Sequence, residues 1–144
     1  MFLDVLRRRN PAFVDAAMAL HQSGQIPANA YVLDLDAVEA NARVLKSEAD
    51  KYSLKIFAMT KQVGRSSSFC QAVQRGGIEK SVAVDMACAR ATHNAGMPVG
   101  HLGHLQQVAR AEADAAAATF RPDYWTVFNA EKAHEAGQAA HKAG

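Results

Sequence analysis

Cysteine, tryptophan and proline are scarce in this 144-residue chain, which carries two, one and four of them. Cys70 and Cys88 stand in helical patterns with no second Cys or His at metal-finger spacing, so neither a disulfide framework nor a zinc module is expected. No window comes near the roughly 18 consecutive apolar residues of a membrane span. The opening Met1-Phe2-Leu3-Asp4-Val5-Leu6 is broken by Asp4 and followed by arginines, the reverse of a secretory signal. An excess of one charge is lacking too: 16 Lys and Arg stand against 14 Asp and Glu, and Arg7-Arg8-Arg9 is the single basic run, which reads as a solvated helix end. The expectation is a reducing, cytoplasmic protein without membrane or nucleic-acid partners. With 49% hydrophobic and 21% charged residues, disorder, collagen and coiled coil are set aside, and the length is that of one domain or less.

What is present is a repeated pattern. Asn10-Pro11 reads as an N-cap with proline at the first helical position, and helical spacing then runs through Phe13, Val14, Ala17, Met18, Leu20 and His21 to Gly24. This defines a helical leader over 1–28. From residue 29 to 144, short apolar runs alternate with helices. The strand candidates are Tyr31–Leu35, Leu54–Met59, Ser81–Asp85, Val99–Leu102 and Tyr124–Phe128. Asp36 with Glu39 reads as a capping box for a helix with Val38, Ala42, Leu45, Ala49 and Tyr52 on its inner face. Ser66-Ser67-Ser68, Asp85 and Asn129 cap later helices, and an alanine-rich helix spans about Leu105 to Thr119.

Strand starts 18 to 27 residues apart match βα units with crossover helices, hence a parallel α/β sheet. Two architectures fit: a (β/α) barrel of the TIM type with about five of its eight units present, or a five-stranded doubly wound sheet. Both place chemistry at the carboxyl ends of the strands, which singles out Asp34, Asp36, Lys61, Asp85, His101, His104 and Asn129.

Lys61 is the most informative of these, because it follows the apolar run Ile56-Phe57-Ala58-Met59 and so delivers an amine to the rim straight from a buried strand. A lysine held among apolar side chains loses solvation of its charged form, which frees the neutral amine to attack an aldehyde. A rim lysine with its ammonium in water is the alternative from position alone.

The stretch Tyr31-Val32-Leu33-Asp34-Leu35-Asp36-Ala37-Val38-Glu39-Ala40-Asn41, followed by Lys55-Ile56-Phe57-Ala58-Met59-Thr60-Lys61, resembles the N-terminal barrel of the alanine racemase family, most closely its YhfX-like branch. Ser81-Val82-Ala83-Val84-Asp85-Met86 and Val127-Phe128-Asn129-Ala130-Glu131 extend the likeness over about residues 30–142. The resemblance implies a pyridoxal 5'-phosphate cofactor held as an internal aldimine on Lys61, which would act as one acid/base on an amino acid or related amine. It also implies a second acid/base, a tyrosine of a C-terminal domain in the partner of a homodimer. Phosphate ligands and an arginine facing the pyridine nitrogen come after the fifth strand in that family. On this reading the chain is an N-terminal portion, incomplete as given and inactive alone.

One departure is local. Family members carry a tyrosine four residues after the lysine, whereas this chain has Arg65, in Lys61-Gln62-Val63-Gly64-Arg65-Ser66. Arg65 could hold an anion, or the segment is a tight turn with a serine cap. Asp85 either bonds a cofactor substituent or caps its helix; His101 is a further cofactor candidate. His101 and His104, three apart across a strand end, are not expected to converge, and no metal is expected. Trp125 and Phe128 read as core. Two other functions stay open: a non-catalytic pyridoxal-phosphate binding or homeostasis protein, and a phosphoreceiver-like doubly wound domain that would use Asp85.

Overall fold

Asn10 does what its position before a proline foretells. In the computed structural model, which describes residues 2–144, its Oδ1 accepts the Phe13 N–H at 3.1 Å and opens helix α2 (Pro11–Gln22). A separate helix α1 (Phe2–Arg9) precedes it, with Arg7, Arg8 and Arg9 exposed in the last turn. Met1 lies outside the described residues. The chain divides into two units, Met1–Asp34 and Leu35–Gly144. Within the first, Asn10 Nδ2 donates to Asp34 Oδ2 at 2.7 Å.

The expected strand Tyr31–Leu35 does not form. Residues 31–34 lack regular structure and Leu35 is already helical. A strand exists only through its ladder, and the first unit offers no other strand to pair with. Helix α3 (Leu35–Lys51) therefore begins ahead of Asp36, which sits in its first turn and not at the cap. Its inner face is covered at Ala42 and Ala49, while Leu45 and Tyr52 stay exposed.

In the second unit four short strands, β1 (Ala58–Met59), β2 (Ser81–Ala83), β3 (Val99–Leu102) and β4 (Tyr124–Trp125), pair in parallel in the order β1-β2-β3-β4. Helices α4 (Ser67–Arg75), α5 (Met86–Asn94), α6 (Ala113–Phe120) and α7 (Ala130–Ala143) follow the strands. The fold is thus α/β with a parallel sheet. Its strands follow chain order without the reversal that defines a doubly wound sheet. Among the described residues the sheet has four strands, one fewer than the sequence pattern predicts. The alanine-rich helix starts at Ala113, later than the expected Leu105, after a single 3₁₀ turn at Arg110–Glu112.

One face of the sheet is covered by helices. Ala83, Val99 and Leu102 pack with Met86, Cys88 and Ala89 of α5 and with Ala116 and Phe120 of α6. Ala58 joins a second cluster with Ala42, Cys70, Val73, Ile78 and Met97. Alanines 113, 117 and 139 let α6 and α7 approach closely, and Trp125 packs beside them.

The other face is concave. Phe57, just before β1, meets Tyr124 of β4 edge to face with ring centroids 5.8 Å apart. Asp123 takes Lys80 at 2.7 Å and Lys55 at 3.4 Å. In a flat sheet β1 and β4 would stand about 14 Å apart, so these contacts require a strong curl. Gly100 makes room for it. A Cβ there would collide with the Phe57 ring and come within 2.9 Å of Lys80 Cβ. No helix among the described residues is long and apolar enough to cross a membrane.

Candidate functional site at the carboxyl ends of the strands

Lys61 opens a 3₁₀ turn (Lys61–Val63) directly after β1 and is partly buried. The turn is organised by the Thr60 carbonyl, which accepts N–H bonds from Val63 at 3.4 Å and from Arg65 at 3.2 Å. Gly64 and Arg65 both adopt left-handed backbone, φ 73° and 59°, a conformation that glycine takes freely and arginine seldom does. The chain then extends into Ser66, whose Oγ accepts the Phe69 N–H at 3.3 Å and starts α4. Lys61 thus stands between a rigid strand and a pinned turn. Arg65 does not project alone: its Nε donates to the buried Cys88 Sγ at 3.0 Å, tying the turn to α5. Thr60 itself is fully buried, and its Oγ1 is without a hydrogen-bond partner.

A β-bulge shapes the opposite wall. Ser81 pairs with Val99 but Val82 pairs with His101, so Gly100 is the extra residue. Met59, Val82, His101 and Tyr124 consequently form one row across all four strands. Since Gly100 and Tyr124 abut Phe57 on the concave side, His101 faces the concavity as well. Its Nε2 shares a 2.6 Å hydrogen bond with Thr126 Oγ1. Contrary to the sequence expectation, the His104 ring lies close, edge to face at 5.6 Å, because the Gly103 and His104 N–H groups both fold back onto the Ala83 carbonyl. Burial first, and His104 second, push His101 below its ordinary pKa of 6.5 and favour the neutral imidazole.

The backbone of Thr126 is held on both sides, and the same glutamine ties down Phe128. Its N–H donates to the Leu102 carbonyl at 3.0 Å, its carbonyl accepts from Gln107 Nε2 at 3.2 Å, and Gln107 Oε1 accepts the Phe128 N–H at 3.1 Å. Gln107 is a residue that sequence reasoning missed; a polar side chain within Gly103-His104-Leu105-Gln106-Gln107, just past a strand end, was the available signal.

The remaining candidates do structural work. Asp85 Oδ1 accepts the Cys88 N–H at 2.6 Å as N-cap of α5, and Asn129 Oδ1 accepts the Lys132 N–H at 2.8 Å as N-cap of α7. Asp34 belongs to the first unit, and Asp36 is exposed on α3. Phe128 is 65% exposed, against its expected core role, because the Gln107 clamp holds its backbone at the surface. The described residues include no cluster of three or more metal-ligating side chains. A depression of about 400 Å³ lined by Lys46, Lys55, Lys80 and Asp123 opens at the amino ends of the strands, away from Lys61.

No model of a known protein family matches the chain. It is 39% identical over all 144 residues to a protein of Escherichia coli strain K12 described as uncharacterized protein YhfX. The chain spans about 37% of that relative's length.

Proposed function

We propose that this chain is part of a pyridoxal-phosphate-binding (β/α) barrel of the alanine racemase type, with the cofactor carried on Lys61. The observation that carries the reading is the placement of Lys61 at the carboxyl-end rim of a parallel strand, beside the concave face of a curled sheet. Ligand chemistry in such sheets belongs to this end. Chain-order strand pairing and the closeness of β1 and β4 side chains support a barrel over a doubly wound sheet, and so weigh against the phosphoreceiver alternative.

The residues present fit an aromatic aldehyde. Lys61 supplies the amine, Val82 stands in the same row as His101 on the neighbouring strand, and two hydroxyls, Thr126 Oγ1 and the unpartnered Thr60 Oγ1, lie at the same ends of the strands. When bound, the cofactor would supply an electron sink for charge developing at the α-carbon of an amine. Lys61 would hold it covalently and move a proton at that carbon through Nζ, while the pinned Thr60–Ser66 turn fixes where Nζ can reach. A racemase-like activity on an amino acid or related amine, a homodimer and a cytoplasmic location belong to the same proposal, as properties of a whole protein of which this chain is a part. A cofactor-binding role without turnover rests on the same lysine and differs only in what the rest of the protein adds.

The test is direct. Pyridoxal phosphate added to the chain should give a visible absorption band that borohydride bleaches, with the reduced adduct mapping to Lys61 by peptide mass. A colourless protein, or an adduct on another lysine, overturns the reading.

A further inference from the structure

The Lys61 reading leaves the His101 imidazole without a role, yet the fold invests heavily in placing it. A bulge at Gly100 turns His101 to the concave face, two backbone hydrogen bonds immobilise Thr126 and a third holds Phe128, and the loop after β3 is folded back so that His104 abuts the imidazole. We propose that His101, fixed by Thr126, is the polar floor of the Lys61 site and hydrogen-bonds the ring edge of an aromatic aldehyde held there, through its ring hydroxyl or ring nitrogen. This deepens the cofactor reading and rests on it.

The distances suit the claim. His101 lies two strands from Met59 in the same row, about 10 Å across, and an extended lysine side chain reaches about 6 Å from its Cα. A six-membered ring on Nζ would span what is left. With one ring nitrogen occupied by Thr126, the neutral imidazole offers its Nδ1 to the ligand, and the immobilised hydroxyl sets the plane of the ring. The pair carries no formal charge, so it suits a polar ring edge better than a phosphate. Phosphate sites in barrels of this kind arise in loops after later strands.

The experiment uses the whole chain labelled at histidine. Pyridoxal, which lacks the phosphate, and pyridoxal phosphate are each fixed with borohydride, the adduct is mapped, and imidazole resonances are recorded. The expected result is an adduct on Lys61 with displaced His101 resonances for both probes, while His134 and His141 on α7 stay in place. Before reduction, His101→Phe and Thr126→Val should each weaken pyridoxal capture up to about tenfold, the worth of one hydrogen bond. Thr126→Val keeps the β-branched shape, so it keeps the test informative if the histidine variant misfolds. An adduct on Lys61 with unmoved His101 resonances, or with shifts for the phosphorylated probe alone, overturns the His101 inference and leaves the Lys61 reading standing. Absence of an adduct on Lys61 removes both.

Discussion

Thr60 Oγ1 is buried without a hydrogen-bond partner. A buried hydroxyl without a partner forfeits about 1–3 kcal/mol of solvation. Thr60→Val, which deletes that hydroxyl at constant shape, should therefore leave the chain as stable or raise its stability by about 1 kcal/mol in urea unfolding. A loss of similar size would show that Thr60 Oγ1 has a structural partner. His101 gives a pH prediction. Its folded-state pKa is depressed, so the unfolded chain binds the extra proton as pH falls through 6.5. The stability it contributes is full above that value and is lost as pH drops through the folded pKa. Unfolding midpoints should decline from pH 7 towards 5, and His101→Gln should flatten that part of the curve. The groups facing the imidazole are His104 and Thr126, and the variant leaves both in place.

Among the elements, what could be read in the sequence is what is local. The caps at Asn10, Ser66, Asp85 and Asn129 all form, because each needs only a side-chain oxygen and the N–H three residues on. Strand Val99–Leu102 falls where expected, bounded by Pro98 and Gly103. The other strands are shorter than their apolar runs, and Tyr31–Leu35 is no strand, since ladders depend on distant partners that alternation cannot reveal. Alanine content places a helix from Leu105, but the backbone N–H groups of residues 103–106 go instead to the Ala83 and Val84 carbonyls. That Lys61 comes just after β1 is legible in the sequence; the hydrogen bond between His101 and Thr126 is not, because it depends on the register shift at Gly100. That glycine carries its own prediction. Gly100→Ala would drive a methyl into the Phe57 ring and should cost about 1–3 kcal/mol, with a changed near-UV signal from the Phe57–Tyr124 contact. An unperturbed variant would contradict the close approach.

For the molecule as a whole, the curl of the sheet is the property on which the barrel proposal depends, and it can be measured without any ligand. In a double-mutant cycle Phe57→Leu and Tyr124→Leu should couple by about 0.5–1.5 kcal/mol, as for an edge-to-face aromatic pair. Additive effects would mean that β1 and β4 do not meet across the concave face. The curl has an electrostatic clamp at the same end, where Lys80 first and Lys55 second hold the Asp123 carboxyl below its ordinary 3.8. That support is present above pH 3.8 and lost only as pH falls through the lowered value.

Asp123 and Phe57 precede their strands at the amino ends, Lys61 and Thr126 follow theirs at the carboxyl ends, and His101 and Tyr124 share one row between them. The ion pairs that fasten the curl therefore lie apart from the Lys61 turn. The consequence is one of evolvability: the turn after β1 can accept new side chains while the salt-bridge fastening at Asp123 stays untouched at the far end.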